Sequence, residues 1–395
     1  MNILFLDQYS DLGGAQACLL DLMPAIQAQG WSAQAVLPGH GPLVGRLRAM
    51  GVPVSEIPCG PYRSGNKRLV DFLRFPFDVA RQVRSIRRLI DRTQFDRIYV
   101  NGARILPAAA IAAQGRIPIV FHVHWRYTGA AAWMARWGIR RSGAVVVGCC
   151  CYVIARLGAA AERLHVIPNG VADCGFRERS FDTAEAFRIG IIGRIAPEKG
   201  QTEFLRAAAL LAPQFPNARF VICGAPLFGI QRFADAVQRQ ARGLPVEFLG
   251  WRDDIGSVLR QLDVLVIASR EEGLPRVLLE AFSAGVPVVS FPAGGIPEAL
   301  ADGQTGFLVQ ESSAEALAAR IRALLTVDRS RLREVAVNAR HMWGLQYDVS
   351  HYRRAIIDLL VTLSPSSRGA TRTAALPPHT PPPQAAAPGN IPSDK

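Results

Sequence analysis

The stretch ASREEGLPRVLLEAFSAGVPVVSFPAGGIPE, residues 268–298, carries the clearest structural pattern in this 395-residue chain. LDVLVIAS (Leu262–Ser269), which leads into it, is short, apolar and rich in β-branched residues, as is typical of a strand buried on both faces. Gly273 and Pro275 end that strand, and Pro275 suits the first position of a helix. We expect the helix to end at Gly285, after which VPVVS begins a second buried strand. The stretch is therefore predicted to be a strand–loop–helix–strand unit of a parallel sheet.

Two glutamates of this unit, Glu272 and Glu280, have seven residues between them. Glu272 is predicted in the loop at the carboxyl end of the first strand, and Glu280 about a turn and a half into the helix. Ligands of open parallel sheets bind at that edge, where the N-terminus of a helix attracts anions. The unit therefore predicts a ligand site at this edge.

A second motif, FRIGIIGRIAPEKG (Phe187–Gly200), repeats this pattern earlier in the chain. Gly193, Arg194 and Lys199 follow a predicted strand and precede the helix TEFLRAAALLA. Near the N-terminus, Gly13 and Gly14 likewise follow a first strand and open a helix. Glycines at such a turn let a ligand approach the backbone, although a plain tight turn would need them too.

These motifs resemble those of the retaining, nucleotide-sugar-dependent glycosyltransferases of the GT-B fold, family 4 type. The resemblance rests on the E-x7-E spacing, on its flanking Gly-Leu-Pro and Gly-Gly-Ile-Pro-Glu elements, and on the Gly-Arg and Lys-Gly of the second motif. It implies an α/β fold of two Rossmann-like β/α/β domains that face each other across a cleft, followed by a crossover helix and a disordered tail.

The implied division of the chain has four parts. Residues 1–172 would form the acceptor-side domain and residues 173–345 the nucleotide-sugar-binding domain. Residues 346–363 would form a helix that packs back on the first domain. Residues 364–395 contain 8 Pro and 6 Ala and cannot build a core, so we expect disorder there.

The resemblance also implies roles for individual residues. Arg194 and Lys199 would meet the negative charge left on the departing nucleotide, since Arg, Lys and helix N-termini can do this without a metal. Glu272 would contact the donor sugar and Glu280 the ribose. The residues that the resemblance places at the donor are Gly13, Gly14, Gly193, Arg194, Lys199, Gly224, Glu272, Gly273, Leu274 and Glu280. Gln16 stands where the family usually has Glu, so no charge is assigned to that position.

One histidine completes the expected catalytic set of His124, Glu272, Arg194 and Lys199. IPIVFHVHW (Ile117–Trp125) is a predicted buried strand that ends in His122 and His124, two residues apart and therefore on the same face. The family has a histidine at the end of this strand that points at the donor sugar. His124 is the better positional match and His122 the alternative. A metal site would need a third ligand, and none is evident in the sequence.

The charge of the chain is distributed unevenly. Of the net +13, residues 1–170 contribute 20 Lys and Arg against 9 Asp and Glu. Two segments concentrate this charge, the predicted amphipathic helix Phe72–Arg92 and WMARWGIRR (Trp133–Arg141). We expect Phe77, Ala80, Val83, Ile86, Leu89 and Ile90 to form the apolar stripe of the first segment. Its arginines are either a solvated surface or a means of attachment to anionic lipid headgroups.

Other sequence features limit the location and the cofactors. The seven cysteines include no Cys-x-x-Cys pair with histidine partners, which argues against zinc and favours reduced thiols in the cytoplasm. MNILFLDQYS has the pattern of a first strand rather than of a signal peptide. We therefore expect a cytoplasmic protein, either soluble or peripheral at the membrane, with no metal and no cofactor apart from the donor.

The resemblance implies that a hexose or related sugar is transferred from a nucleotide diphosphate sugar to an acceptor hydroxyl with retention of configuration. The preferred acceptor is a lipid-linked oligosaccharide or polysaccharide precursor in cell-envelope or exopolysaccharide biosynthesis. Alternatives are a nucleotide-sugar 2-epimerase of the same fold and a catalytically silent sugar-binding relative. Nucleic-acid binding would explain the basic half, but no recognition module is present in the sequence and no nucleic-acid partner is expected.

Overall fold

A computed structural model describes residues 1–57, 69–176, 187–226, 230–326 and 330–363. These residues form two all-parallel sheets covered by helices, and the expected α/β architecture of two Rossmann-like domains is confirmed. The predicted disordered tail, 364–395, lies outside the described residues. The exact division of the chain at residues 172 and 345 stays a prediction.

The N-terminal domain is built on a seven-stranded sheet in the order β3-β2-β1-β4-β5-β6-β7. Its strands are β1 (Asn2–Asp7), β2 (Ser32–Pro38), β3 (Val54–Ile57), β4 (Arg97–Asn101), β5 (Ile119–Val123), β6 (Val145–Gly148) and β7 (Leu164–Val166). The helices that follow these strands are α1 (Gly14–Ala28), α2 (Pro42–Ala49), α3 (Leu69–Arg92), α4 (Leu106–Ala113), α5 (Gly129–Ser142) and α6 (Cys151–Ile154).

The C-terminal domain is built on a six-stranded sheet in the order β10-β9-β8-β11-β12-β13. Its strands are β8 (Arg188–Ile192), β9 (Arg219–Cys223), β10 (Val246–Gly250), β11 (Val264–Ile267), β12 (Val288–Ser290) and β13 (Phe307–Leu308). Its helices are α7 (Gln201–Leu211), α8 (Gln231–Gln240), α9 (Ile255–Leu259), α10 (Arg276–Ala284), α11 (Ala314–Thr326) and α12 (Ser330–Met342).

Each sheet has one position where the strand order reverses. In the first sheet β1 pairs with both β2 and β4, and in the second β8 pairs with both β9 and β11. Chains leaving the two central strands there turn to opposite faces of the sheet, which opens a crevice at the carboxyl ends of the strands.

The last helix, α13 (Val349–Thr362), packs on α1 of the N-terminal domain. Tyr352, Ile356 and Leu360 are buried there against Leu22 and Ile26. The burial of this apolar face fixes the end of the chain to the first sheet, although the residues before it belong to the second.

The helix predicted over residues 346–363 corresponds to α13, which begins at Val349. Helix α12 ends at Met342, five residues from Trp343 to Tyr347 form a π-helical turn, and α13 begins only after Asp348. Asp348 accepts a hydrogen bond from the backbone N–H of Ser350 at 2.9 Å and so caps the new helix. The π turn buries Trp343 and Tyr347 between the domains, a packing that an unbroken helix would not give.

Two smaller predictions also need correction. Pro275 lies at the N-cap of α10 rather than inside the helix, which begins at Arg276, while Gly285 ends it as expected with a φ of 69°. In α3 the expected apolar stripe was partly wrong, because Phe77 and Ala80 are exposed while Val83 and Ile86 are buried.

Candidate active site

The carboxyl edge of the second sheet brings the predicted donor residues together. Arg194 and Lys199 follow β8, and Glu272 follows the neighbouring β11. Lys199 Nζ lies 2.5 Å from Glu272 Oε1, and the Glu272 side chain is almost fully buried. The two loops are also joined by their backbones, since Arg270 N donates to Glu198 O at 3.0 Å. Lys199 and Glu272, which are 73 residues apart in sequence, thus belong to one polar cluster.

Each cation of this cluster already has a carboxylate partner. Arg194 Nη2 lies 2.5 Å from Glu198 Oε1, just as Lys199 is paired with Glu272. Gln201 holds the same loop in shape, because its amide donates to Arg194 O at 2.9 Å and accepts from Ala196 N at 3.3 Å. The four charged side chains are therefore neutral as a group.

Gly224 allows the turn after β9 to lie directly against the turn after β8. It adopts a φ of 144°, and a Cβ at this position would lie 1.9 Å from Gly193 O. No side chain fits there, so the turn after β9 can rest directly on the turn after β8. The open backbone of Gly193 and Gly224 adjoins Arg194, as the sequence motif required.

Helix α10 carries the second glutamate and also an arginine that joins the domains. Arg276 Nη1 lies 2.7 Å from Asp21 Oδ2 on α1 and donates to Gly170 O at 3.0 Å. Arg276 Nε lies 3.7 Å from Glu280 Oε1. Burial raises the pKa of Glu280, and Arg276 opposes this shift. Glu280 is thus a partly buried carboxylate held beside an interdomain ion pair.

A cavity of about 250 Å³ opens beside Glu280 and Arg276. Its walls come from the interdomain linker, Val171–Cys174, and from Asp253–Gly256 after β10. Asp253, Asp254 and Ile255 of the second wall lie just after the end of β10.

A chain of buried polar side chains crosses the carboxyl edge of the first sheet. Asp7, which ends β1, accepts hydrogen bonds from Gln16 Nε2 at 3.0 Å and from Asn101 Nδ2 at 3.1 Å. Asn101, which ends β4, places its Oδ1 3.2 Å from Nε2 of His124. His124 is the first residue after β5. Three adjacent strand ends are therefore linked from a carboxylate to an imidazole.

Burial shifts the proton affinity of both ends of this chain. It raises the pKa of Asp7 to about 6, although four hydrogen bonds from the surrounding groups act in the opposite direction. Burial and the positive charge of Arg276 lower the pKa of His124 to about 3, while Asn169 acts in the opposite direction. His124 is consequently a neutral imidazole at physiological pH.

His122, the alternative histidine, lies deeper in the first sheet. Its Nδ1 is 2.6 Å from Tyr99 Oη, and its ring lies 3.8 Å from that of His124. Burial lowers its pKa well below the ordinary value. His122 is a buried neighbour of His124.

The two edges meet directly. A Cβ on Gly273 would lie 2.3 Å from His124 O, so only glycine allows this close approach between the domains. Asn169 Nδ2 donates to Leu274 O at 2.7 Å. Gly14 also faces the seam, with Arg276 Cδ 3.8 Å from the position of a Cβ. The interface therefore brings most of the predicted residues into one region.

Sequence reasoning missed Asp7, Asn101 and Arg276. All three are polar or charged residues that end a strand or begin a helix at a carboxyl edge, which is a signal that the sequence already contained. Gln16 was noted only as a departure from Glu. Its amide is explained by Asp7, because a glutamate at position 16 would set two carboxylates against each other.

No group of three or more His, Cys, Asp or Glu side chains suited to a metal ion occurs within the described ranges. The helices of those same ranges include none with the length and hydrophobicity of a membrane span.

Two family models match the chain on either side of the interdomain linker. Residues 13–170 match the glycosyl transferase 4-like domain, and residues 186–327 match glycosyl transferases group 1. The chain belongs to the family 4-type glycosyltransferases of the GT-B fold.

Curated members of this family show the same likeness over part of their length. A D-inositol 3-phosphate glycosyltransferase of Corynebacterium glutamicum is 35% identical over 153 residues, 37% of this chain and 36% of that protein. WcaL of Salmonella typhimurium, assigned to colanic acid biosynthesis, is 27% identical over 216 residues, 52% of this chain and 53% of its own. The chain thus spans between about a third and a half of these relatives.

Solved structures similar to this protein align over nearly the whole chain. HepE of Anabaena, crystallised with UDP and glucose, is 27% identical with a TM-score of 0.76, covering 92% of this chain and 100% of that one. A further HepE structure contains UDP-glucose and is 28% identical, with a TM-score of 0.75 and the same coverage. A glycosyltransferase from Rickettsia africae shares the fold with a TM-score of 0.74 at 16% identity and covers 92% of this chain and 99% of its own.

Proposed function

We propose that this protein is a retaining glycosyltransferase that transfers a sugar from a nucleotide diphosphate sugar to an acceptor hydroxyl. The observation that carries the proposal is the contact of Lys199 with Glu272 at the strand-order reversal of the second sheet. It sets an ammonium group, which could bind a phosphate, beside a carboxylate that could accept hydrogen bonds from sugar hydroxyls. The HepE complexes with UDP, glucose and UDP-glucose support a donor of this class.

Diphosphate binding would exchange the partners of the two cations. The Glu198 side chain is partly exposed and can rotate into solvent, which would free Arg194 for a phosphate oxygen. Lys199 can bridge a phosphate oxygen and Glu272 at the same time, because an ammonium group has three donors. The positive charge would then be available where the leaving diphosphate gains negative charge, as transition-state stabilisation requires.

The nucleoside end of the donor would occupy the cavity beside Glu280. About 250 Å³ is less than the roughly 300–1,000 Å³ of sites for drug-sized ligands, so this space would take only part of the donor. Glu280 would accept hydrogen bonds from the ribose hydroxyls. The raised pKa of Glu280 suits a carboxylate that pairs with hydroxyls rather than with a phosphate.

The sugar would lie between Glu272 and His124. In a front-face mechanism the leaving phosphate takes the proton of the acceptor hydroxyl, so neither a nucleophile nor a general-base carboxylate from the protein is required. His124 is neutral and can contact the sugar by a hydrogen bond without adding charge. We propose that neither a metal nor a further cofactor takes part, so that chelators leave turnover unchanged.

We propose a lipid-linked oligosaccharide or polysaccharide precursor as the acceptor, reached at an anionic membrane surface. Leu73, Phe77 and Trp133 are 65%, 73% and 61% exposed, which is unusual for large apolar side chains of one domain. Exposed arginines flank them on α3 and α5, namely Arg74, Arg81, Arg84, Arg87, Arg88 and Arg140. Apolar anchors combined with basic residues are the composition of an interfacial membrane contact.

Donor binding is tested by the thermal stability of the full chain with UDP-, GDP- and ADP-sugars. One donor should raise Tm selectively by binding linkage. That donor and an acceptor should then give a product with the same anomeric configuration, as followed by NMR. Release of a C2 epimer from the donor without acceptor would instead favour the 2-epimerase, and binding without any conversion would favour a silent relative.

The membrane contact is tested separately with vesicles. The full chain should sediment with vesicles of anionic phospholipid and not with zwitterionic ones, and the Phe77→Ser, Trp133→Ser variant should bind several-fold more weakly. Trp251→Ser is the matched control, since Trp251 is a 47% exposed tryptophan of the other domain. Equal binding of all three proteins would rule out this surface.

A further inference from the structure

We propose that Asp7 and Asn101 are positioning residues that determine which ring nitrogen of His124 carries the proton. The proposal rests on the proposed function in one respect, since His124 is taken to contact a hydroxyl of the donor sugar. The hydrogen bonds that link Asp7, Asn101 and His124 are present in the free protein and can be tested without any substrate.

The direction of each hydrogen bond follows from the chemistry of the groups. An ionised carboxylate only accepts, so Asp7 must face the amide nitrogens of its neighbours. Asn101 Nδ2 lies 3.1 Å from Asp7 Oδ2, and it lies 3.4 Å from Ala15 O, which is also an acceptor. Both contacts require the NH₂ group of Asn101 on this side. Asn101 Oδ1 is thereby turned toward His124.

His124 must then donate from Nε2. The acceptor Asn101 Oδ1 lies 3.2 Å away, and a neutral imidazole has only one N–H. Nδ1 is left with a lone pair. This atom is buried, and no hydrogen-bond partner for it occurs among the residues that the structure describes. It is therefore an acceptor available to a hydroxyl group.

The nearby amide of Asn169 does not reverse this assignment. Asn169 Nδ2 donates to Leu274 O at 2.7 Å, and its Oδ1 accepts from Cys18 Sγ at 3.3 Å. The Asn169 side chain raises the pKa of His124, yet it makes no hydrogen bond with Nδ1. A sugar hydroxyl that enters the interface between the domains would donate to Nδ1. The tautomer therefore decides whether His124 can accept a hydrogen bond from the sugar.

Protonation of Asp7 can reverse the direction of the hydrogen bonds that link Asp7, Asn101 and His124. A carboxylic acid can donate, so Asn101 could give up its long 3.4 Å contact with Ala15 O, turn its amide over, accept from Asp7 and donate to His124 Nε2. The proton of His124 would then move to Nδ1. Burial raises the pKa of Asp7 to about 6, which places this change just below neutral pH. His124 itself stays neutral there, since its pKa is lowered to about 3.

Other titratable groups surround Asp7 and His124. Tyr9 donates its backbone N–H to Asp7 at 2.9 Å, and Tyr127 and Arg104 lie close enough to influence one another electrostatically. Burial raises the pKa of Tyr127 above its ordinary range, so it does not titrate near pH 6. Around His124 the groups are Arg276, which stays charged, and His122, which stays neutral.

The direct test is ¹⁵N NMR of the full chain labelled in its histidine rings, with His124 assigned by difference from His124→Gln. At pH 7.5 the wild type should show His124 protonated at Nε2 and unprotonated at Nδ1. Asp7→Asn should give a mixture of the two tautomers. Asp96→Asn is the matched control, because Asp96 lies at the opposite edge of the same sheet, where it accepts from Asn2 N at 2.7 Å. It should match the wild type.

A measurement on the wild type alone covers the case in which Asp7→Asn fails to fold. Lowering the pH from 7.5 to 5 should produce the Nδ1–H tautomer of His124 without charging the ring. The proposal is overturned if wild-type His124 carries its proton on Nδ1 at pH 7.5, or if its tautomer is unchanged both at pH 5 and in a folded Asp7→Asn.

Turnover separates this proposal from the proposed function. Asp7→Asn should lower kcat/KM by roughly tenfold, the factor that one hydrogen bond of ordinary strength accounts for. The fall of kcat/KM below pH 6 should be present in the wild type and absent in Asp7→Asn. If the NMR results hold but no sugar is transferred, the proposed function fails and the positioning chain stands.

Discussion

The carboxyl edges of the two sheets have the same topology but opposite chemistry. At the second sheet the side chains form ion pairs, Arg194 with Glu198 and Lys199 with Glu272, that can exchange partners with an anion. At the first sheet a buried chain runs from Asp7 through Asn101 to His124, and its order depends on donors and acceptors rather than on net charge. On the proposed function, this difference would let one lobe bind phosphate by charge and the other bind hydroxyls by the placement of donors and acceptors.

The largest expected effect comes from the ion pairs of the second sheet. Lys199→Ala or Glu272→Ala should reduce kcat by about 10²–10³, because each removes a charge aimed at the reacting part of the donor. Steady-state transfer with the donor identified by thermal shift measures this.

Arg320→Ala is the control for that prediction. It breaks a pair of the same kind and length, Arg320 with Asp302 at 2.5 Å, outside the two crevices of the sheets. Its kcat should equal that of the wild type. Full activity in both Lys199→Ala and Glu272→Ala would remove the distinction between the two edges.

The second effect concerns the cost of the buried carboxylate in the first sheet. The pKa of Asp7 rises from its ordinary value of 3.8 to about 6 on folding, so the folded state binds this proton more tightly than the unfolded state. The contribution of Asp7 to the free energy of unfolding therefore becomes more favourable to the folded state as the pH falls from about 6 to about 4. Above pH 6 the ionised group costs up to about 3 kcal/mol.

Asp7→Asn should consequently be more stable than the wild type at pH 8, with the difference shrinking toward pH 4.5. Urea unfolding at the two pH values measures it. A gain in stability together with a loss of turnover is the combination expected of a residue kept for function. A variant that is less stable at pH 8 would contradict this sign.

A third, smaller effect is expected at the arginine that joins the two edges. Arg276→Gln removes the pair with Asp21 and leaves that carboxylate partly buried, which should cost about 2 kcal/mol in the free energy of unfolding. Arg276→Lys keeps the charge and should recover part of the loss. The urea unfolding midpoints of the wild type and the two variants measure this. Equal midpoints would show that Arg276 does not stabilise the interface between the domains.

The smallest effect belongs to a second interdomain pair. Arg46 lies 2.5 Å from Asp253, but both side chains are largely exposed. Solvent-exposed pairs contribute between roughly 0 and 1 kcal/mol, so Arg46→Ala should change the free energy of unfolding by less than about 0.5 kcal/mol. A loss as large as that of Arg276→Gln would mean that burial does not decide the strength of these interdomain pairs.

The residues of the second sheet could be located from the sequence because they are local in it. One strand–loop–helix segment contains Gly193, Arg194 and Lys199. The glycine and proline residues of its loop mark the end of the strand. That Lys199 contacts Glu272 follows only from strand order, since β8 and β11 are neighbours although β9 and β10 lie between them in sequence.

The hydrogen bonds that link Asp7, Asn101 and His124 at the first sheet could not be predicted in the same way. Asp7 and Asn101 are 94 residues apart, Asn101 and His124 are 23 apart, and only His124 was singled out in the sequence. Their contact requires both the pairing of β1 with β4 and the pairing of β4 with β5. Periodicity also misplaced Phe77, because the buried face of α3 includes the polar residues Asp78 and Gln82.

The central claim is that the carboxyl edge of the second sheet holds the diphosphate of the donor. A crystal structure of the full chain with the sugar nucleotide that stabilises it best tests this directly. We predict phosphate oxygens within hydrogen-bond distance of Arg194 and Lys199, and the ribose hydroxyls at Glu280. A nucleotide bound elsewhere, with Lys199 still paired to Glu272 and no ligand beside it, would contradict the account.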